Sequence, residues 1–476
     1  MYEVVLFANV MLWLALTLHF VRLPIATAFH PVAYYLFFHG LVFMFRPIVV
    51  AIQGYQELYA GYGFFPSESD KITVILASML GLAAFYFAAL RSGNAPLRFK
   101  HDRITEMERA QLVKPFLFVA ALIVPMAIAS GLDNWQSRAD AATSMVLDAA
   151  TGTSINTTSS GYWADLQLML GPISVMTVWL FRFRWWSFAP LAGFIVLRAG
   201  TGGRWPFMMA CATVGLLFLY EHRRALPRFK EALFPILALL LFQTIGADRG
   251  AGIRSYFVED RSDASIVSQR ELGFMESMDF ANMEYFEYLV YAVPQRSGTY
   301  GYFLDNLQVF TEPVPRVLWP DKPVGAPIKL FYLWDYGSPI GMTYSLPGNG
   351  WLQLGYLGVA IWCGLFGWFY GWIYSRFQQS DQSTLKTIAF LLFLPLSFQF
   401  FRDGVLLSLI KSHAWFLLPL LLTYGFARLS AVPMGSELRL RALRAAARRQ
   451  PDIAKRILDR RKGAPHRSRR SGWPAE

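Results

Sequence analysis

At 476 residues a soluble chain would hold two to four domains, but 55% of this one is hydrophobic and only 16% is charged, against about 45 to 50% and about 25% in soluble domains. Together with a mean hydropathy of +0.34, this excludes an ordinary soluble enzyme and predicts a membrane protein. The formal charge of +12 does not argue for nucleic acid: from Arg428 to the end there are 14 Lys and Arg against four acids, so the tail alone carries +10, and nothing else supplies a base-reading module.

A helix needs about 20 mostly apolar residues to cross about 30 Å of hydrocarbon. Eleven segments meet or approach that length, near 4–25, 32–53, 72–90, 115–132, 163–181, 185–199, 205–220, 232–246, 350–375, 386–402 and 404–427. The sixth and seventh are short and read as a bent or re-entrant pair. The expected fold is an all-α polytopic membrane protein. Helices one to eight occupy 1–246, a large extracytoplasmic loop 247–349, helices nine to eleven 350–428, and a basic cytoplasmic tail 429–476. The first apolar run lacks a basic start and leads into another span, so no cleavable signal peptide is expected.

Short loops rich in Lys and Arg stay on the cytoplasmic side. Alternate loops hold them here: Arg91, Arg98, Lys100, Arg103, Arg109 and Lys114; Arg182 and Arg184; Arg223, Arg224, Arg228 and Lys230; then Arg376 and the tail. The loops between, 54–70 and 133–162, are poor in basic residues. Eleven crossings place the N-terminus outside and the tail inside, with every basic loop on one side.

Within the long outer segment, residues 277–292 (SMDFANMEYFEYLVYA) space apolar residues as a helix does, with Glu284 and Glu287 opposite. Two readings stay open, an amphipathic helix on the membrane surface and a packed helix of a small lid. The tail, from Leu438 to Arg460, alternates Leu, Ala and Ile with Arg. That pattern suits docking on anionic membrane lipids.

An ionisable side chain inside a span costs about 2.5–3.5 kcal/mol on insertion scales, so each is a candidate for function. Arg46 lies in the second span, Arg198 and Arg204 flank the turn Ala199-Gly200-Thr201-Gly202-Gly203, Arg402 and Asp403 end the tenth span, and Lys411 lies in the eleventh. Arg198, Arg204 and Arg402 fall near the outer face. Arginine's planar fork suits a diphosphate, and a glycine-rich turn frees backbone N–H groups for the same anion. The structural alternatives are pairing of Arg402 with Asp403 and snorkelling of Arg198 to the interface.

A second cluster is Glu312-Pro-Val-Pro-Arg316-Val-Leu-Trp-Pro320-Asp321-Lys322-Pro323. Its four prolines would hold Arg316, Asp321 and Lys322 on a stiff outer loop, either as a site or as a plain connector. The seven histidines are dispersed, without HxxxH or HExxH spacing, and Cys211 and Cys363 are isolated in apolar runs. No Walker loop, GxSxG elbow, CxxC or DxD pair occurs. No metal, no cofactor and no nucleotide-sugar donor is therefore expected.

The span pattern, the Gly-Gly-Arg opening a span (GTGGRWPFM), the outer-loop stretch PRVLWPDKP and the following NGWLQLGYLGVAI resemble the bacterial oligosaccharide repeat-unit polymerases of the Wzy type. The resemblance covers most of the membrane portion and is most specific between Arg316 and Gly358. It implies a GT-C-like architecture in the bacterial inner membrane. It also implies polymerisation of undecaprenyl-diphosphate-linked repeat units at the periplasmic face, without metal or cofactor, alongside a chain-length regulator and a flippase. Arg204, Arg316 and Lys322 fall within the matching motifs; with Arg46, Arg198 and Arg402 they form the expected diphosphate-binding set. Where many relatives carry an acid before the Gly-Tyr-Leu-Gly segment, this chain has Asn349, Trp351 and Gln353. The candidates for the general base are thus Asp321, Glu57, Glu312 and Asp403. An O-antigen ligase or a lipid-linked oligosaccharide flippase remain the alternatives, the latter disfavoured by the lack of an internal repeat.

Overall fold

The computed structural model describes residues 1–53, 59, 63–100, 103–139, 146–147, 154–155, 161–200, 204–228, 281–315, 318–323, 325–337, 343–434, 437–438 and 440–441. The chain is a multi-pass helical membrane protein, with seven helices among the described residues long and apolar enough to cross a bilayer. In chain order these are α1 (Tyr2–Arg22), α2 (Pro31–Gln53), α3 (Glu68–Ser92) and α4 (Arg103–Ala139), then, after shorter helices, α9 (Leu346–Gln379), α10 (Thr384–Asp403) and α11 (Leu406–Leu429). The shorter ones are α5 (Leu170–Leu180), α6 (Ala189–Gly200), α7 (Trp205–Glu221) and α8 (Asn282–Ala292). A two-residue antiparallel pair sets Val146 opposite Ile155. Helices stand at ten of the eleven expected segments; the eighth, 232–246, lies outside the described residues. So do residues 442–476, where most of the expected tail helix, Leu438 to Arg460, falls.

Side-chain contacts fix how the helices alternate. Tyr2 N–H donates to Glu68 (3.1 Å) and His19 Nδ1 lies 2.6 Å from the Tyr86 hydroxyl, so α1 and α3 run parallel with α2 returning between them. At one end of the bundle Arg98 N–H donates to Gln378 (2.9 Å), Thr384 N–H to Glu108 (3.0 Å), and Arg109 pairs with Glu221 (3.1 Å). Arg109 also donates to the Trp179 carbonyl, and Trp179 Nε1 donates to Glu221 (3.0 Å). At the other end Trp135 donates to the Leu197 carbonyl (2.7 Å) and Asn134 to that of Ala164 (3.0 Å). The basic loops therefore gather at a single end.

Helices α3 and α9 pack backbone to backbone. A Cβ on Gly367 would stand 2.8 Å from Phe85 Cα, and one on Gly371 3.0 Å from Ala89 Cα. Small residues are what permit this approach between helices in lipid.

The ninth expected span needs correction. α9 breaks at Leu354 (φ −157°, ψ 29°) and Gly355 (φ 59°, ψ −140°) into residues 346–353 and 356–379. The two limbs fold against each other, since a Cβ on Gly350 would stand 2.7 Å from Val359 Cα and one on Gly358 would run into the Gly350 carbonyl. The left-handed φ at Gly355 is open to glycine without the Cβ penalty. The apolar run continues through the turn, so periodicity alone reads one helix. Trp362 Nε1 donates to the Gly404 carbonyl (3.1 Å). Trp362 follows Tyr356 by six positions, about 9 Å of helix, so the α10–α11 turn is recessed below the top of α9.

Candidate functional site

Arg46 is placed by a widening of α2. Its N–H bonds to the Leu41 carbonyl, an i to i−5 closure, within the π-turn Gly40–Phe45. Such turns insert a residue, rotate the helix beyond them and recur at functional sites. Carbonyls in and before the turn are taken by α1: Trp13 Nε1 donates to Leu36 O (2.7 Å) and Asn9 Nδ2 to Phe43 O (2.7 Å). Asn9 Oδ1 is in turn 3.0 Å from His39 Nε2. The rotated Arg46 reaches Glu284 of α8 at 2.7 Å, with side-chain exposures of 0% and 3%.

Helix α8 is buried along its length with only Tyr291 half-buried, so it is packed within the protein and does not lie on the membrane surface. Its glutamates, read as a polar face, point at polar partners inside the protein. The Tyr59 hydroxyl donates to Glu287. Burial first, then the charges of Glu284 and Asp70, push the Glu287 carboxyl up to about 8, while the Tyr59 hydroxyl and the Lys71 charge pull the other way. It is a carboxylic acid that keeps its proton near neutrality.

Asn282, at the start of α8, connects this pair to the recessed turn. Its amide nitrogen lies 2.9 Å from the Arg402 carbonyl and 2.7 Å from the Thr343 hydroxyl. Ser345 N–H donates to the same Arg402 carbonyl (2.8 Å), which sets the start of the 346–353 limb against the end of α10. Arg402 pairs with Asp403 (3.3 Å), both mostly buried, and its guanidinium lies 4.9 Å above the Trp205 ring. Arg204, half-buried, is the residue just before α7. Thus Arg402, Asp403 and the Arg204–Trp205 corner, remote in sequence, do come together.

A second carboxylate stands at the tip of the α9 hairpin. Both oxygens of Asp305 receive the Gln353 amide (2.9 and 3.0 Å), and Oδ1 also faces the Asn306 amide (3.2 Å). Burial raises the Asp305 carboxyl above the ordinary range, against hydrogen bonds from Gln353, the local backbone and Asn349 that favour its charged form. The chain arrives there through Tyr302 (φ 50°) and Phe303 (φ 61°), left-handed positions that disfavour aromatic residues and that concentrate at functional sites. They are held by the hairpin: Gly301 and Tyr302 N–H donate to the carbonyls of Leu352 and Gln353, and Phe303 N–H to the Gln353 side chain. Phe303 lies 5.2 Å from Trp362, whose Nε1 donates to the Gly404 carbonyl, so the Asp305 segment is linked through one side chain to the residues just after Arg402 and Asp403.

The remaining expected residues are elsewhere. Glu57 and Arg316 lie outside the described residues. Arg198 is half-buried in the last turn of α6, and Asp321 is exposed on the proline-rich loop. Lys322 is not free for a ligand: its Nζ bonds the Glu312 and Val314 carbonyls (3.0 and 3.1 Å) and stands 4.0 Å from the Glu312 carboxylate. Prolines remove N–H donors, leaving a loop rich in acceptors that one ammonium satisfies. That loop leans on Tyr162, whose hydroxyl donates to Pro313 O (2.7 Å), and Lys411 pairs with Asp165 (2.8 Å). Sequence reasoning missed Tyr59 and Asp305, which sit in no motif. It named Gln353 only as a missing acid. Among the described residues no three His, Cys, Asp or Glu are grouped to hold a metal. Compared with models of known families, with curated proteins and with solved structures, the chain matches none.

Proposed function

We propose that the protein joins oligosaccharide repeat units carried on undecaprenyl diphosphate, at the outer face of a bacterial inner membrane, in the synthesis of a surface polysaccharide. The observation that carries this reading is the recessed corner where Arg402 stacks on Trp205 beside Arg204, with Asp403 next to it. It lies at the end of the bundle away from the basic loops, which the positive-inside tendency assigns to the cytoplasm. The N-terminus is then periplasmic and the tail cytoplasmic. Two guanidinium groups in a partly dehydrated mouth can stabilise the charge that develops on a departing lipid diphosphate, and the neighbouring aromatics can stack on sugars. The reaction transfers the growing glycan from its lipid diphosphate to a hydroxyl of the incoming unit, which needs no resident metal in the scheme.

The test is a purified wild-type protein in liposomes, supplied with lipid-linked single units. Products of two or more units are expected, with loss of at least about tenfold on Arg402→Lys, since a point charge cannot reproduce the fork. Transfer to a lipid A core, with no joining of units, would instead make it a ligase. No transfer to either acceptor would sink the reading.

A further inference from the structure

The reaction proposed above needs a group to accept the proton of the attacking hydroxyl. The carboxylates of the 281–315 segment and Asp403 differ in what holds them. Glu284 is bound by the buried Arg46, Asp403 by Arg402, and Glu312 faces Lys322. Glu287 carries the Tyr59 hydrogen bond and a proton. Asp305 is instead held by neutral amides, with the Gln353 Nε2 within 3.0 Å of each oxygen. Amides fix a carboxylate's direction and favour its charged form without pairing it to a cation, which leaves it ionised and able to accept a proton.

The local backbone is built for this placement. Two consecutive left-handed aromatic residues, Tyr302 and Phe303, turn the chain so that Asp305 meets the hairpin tip. Gly355, itself left-handed, leaves room for Tyr300, whose hydroxyl would stand 2.8 Å from any Cβ there. Aromatic residues lie close along the same stretch of chain: Phe303 against Trp362, and Tyr300 beside Tyr302. Gln353 also reaches Asn349 (3.4 Å), and Asn349 Cβ packs toward Gly404, next to the Arg402–Asp403 pair.

We propose that Asp305 is the general base of the transfer and that Gln353 is the residue that positions it. This rests on the polymerase reading. The Asp305 carboxylate takes the proton from a sugar hydroxyl of the incoming unit. The hydroxyl oxygen forms a bond to the anomeric carbon of the growing chain, and the bond from that carbon to the diphosphate oxygen breaks. Its electron pair leaves on the lipid diphosphate beside Arg402 and Arg204. Aromatic walls at the tip give the acceptor sugar a stacking face.

The test measures unit joining by purified protein in liposomes as a function of pH. Asp305→Asn is expected to lower turnover by about a hundredfold or more, with protein yield and monodispersity unchanged, and Asp305→Glu to keep part of the rate. If the Asn variant does not fold, Asp305→Ala is assayed with added formate, which is expected to restore transfer as a small carboxylate in the vacated space. Gln353→Ala should move the acid limb of kcat/KM to higher pH, because it removes bonds that favour the charged carboxylate, while the high-pH rate recovers. A rate loss in Gln353→Ala that is equal at every pH would overturn the positioning role. A working wild type with equally working Asp305 variants overturns this assignment alone, whereas a wild type that joins no units overturns the functional reading beneath it.

Discussion

Arg46 and Glu284 are 238 positions apart in the chain and 2.7 Å apart in the fold, with neither side chain more than 3% exposed. An ion pair this dry is dangerous to halve: removing one partner leaves a buried charge, at about 3–5 kcal/mol, whereas replacing both by apolar residues of similar volume can be neutral. Arg46→Met alone should therefore lower the fraction surviving a heat step as a monodisperse peak, and Arg46→Met with Glu284→Leu should recover most of it. Equal loss in the single and double variants would show that the pair is not the source of the effect.

The buried Glu287 gives stability a pH dependence of predictable sign. Its folded carboxyl sits at about 8, well above the ordinary value of 4.5. Below about pH 4.5 both folded and unfolded chains hold this proton and its contribution is complete. As pH rises toward 8 the unfolded chain releases the proton while the folded one keeps it, so stability falls through that window. Glu287→Gln, which can still accept from Tyr59, should flatten the profile between pH 5 and 8. A wild-type protein whose thermal stability rises over that range on account of this group contradicts the assignment.

The α9 hairpin makes two glycines on one helix unequal. At Gly358 a Cβ would collide with the Gly350 carbonyl, while at Gly364 nothing lies within 4 Å. Gly358→Ala should destabilise by about 1–3 kcal/mol or more, as overpacking does, and Gly364→Ala should be silent. Equal thermal survival of the two variants would mean that the limbs do not pack as described.

The basic tail stands apart from the proposed chemistry. Truncation after Gly435 should leave unit joining in liposomes within about twofold of wild type, because the proposed orientation puts the site across about 30 Å of hydrocarbon from the tail. A reporter fused after Arg428 should read as cytoplasmic and one at Gly298 as extracytoplasmic. Opposite readings at those two sites would invert the orientation and move the Arg402 corner to the wrong side.

Most of the helix order was legible because a span is a local property: α1, α3, α10 and α11 are apolar runs of sufficient length, and alternation of basic loops set their parity. The hairpin was not, because Gly355 interrupts geometry without interrupting hydropathy. Helical spacing around Glu284 and Glu287 was visible, but what those acids face depends on Arg46 and Tyr59, more than 200 positions away. What Lys322 touches was not legible either: its charge advertised an anion, and in the fold its ammonium is held by carbonyls of its own proline-rich loop. Asp305 carries no motif, and only the tertiary approach of Gln353 singles it out.

The contacts at the basic end have a mechanical consequence. Arg109 binds Glu221 and the Trp179 carbonyl, and Glu108 receives the Thr384 N–H, so α4, α5, α7 and α10 are riveted together there. Helices riveted at one end part by tilting, with displacement growing along their length. The corner formed by Arg402 and Trp205 is at the far end of that lever, where small angular changes give the widest gap. On the reading proposed above, opening the mouth for a glycan would cost the Arg402–Trp205 contact but no bond at the basic end, and severing Arg109 from Glu221 would loosen a corner that neither residue touches.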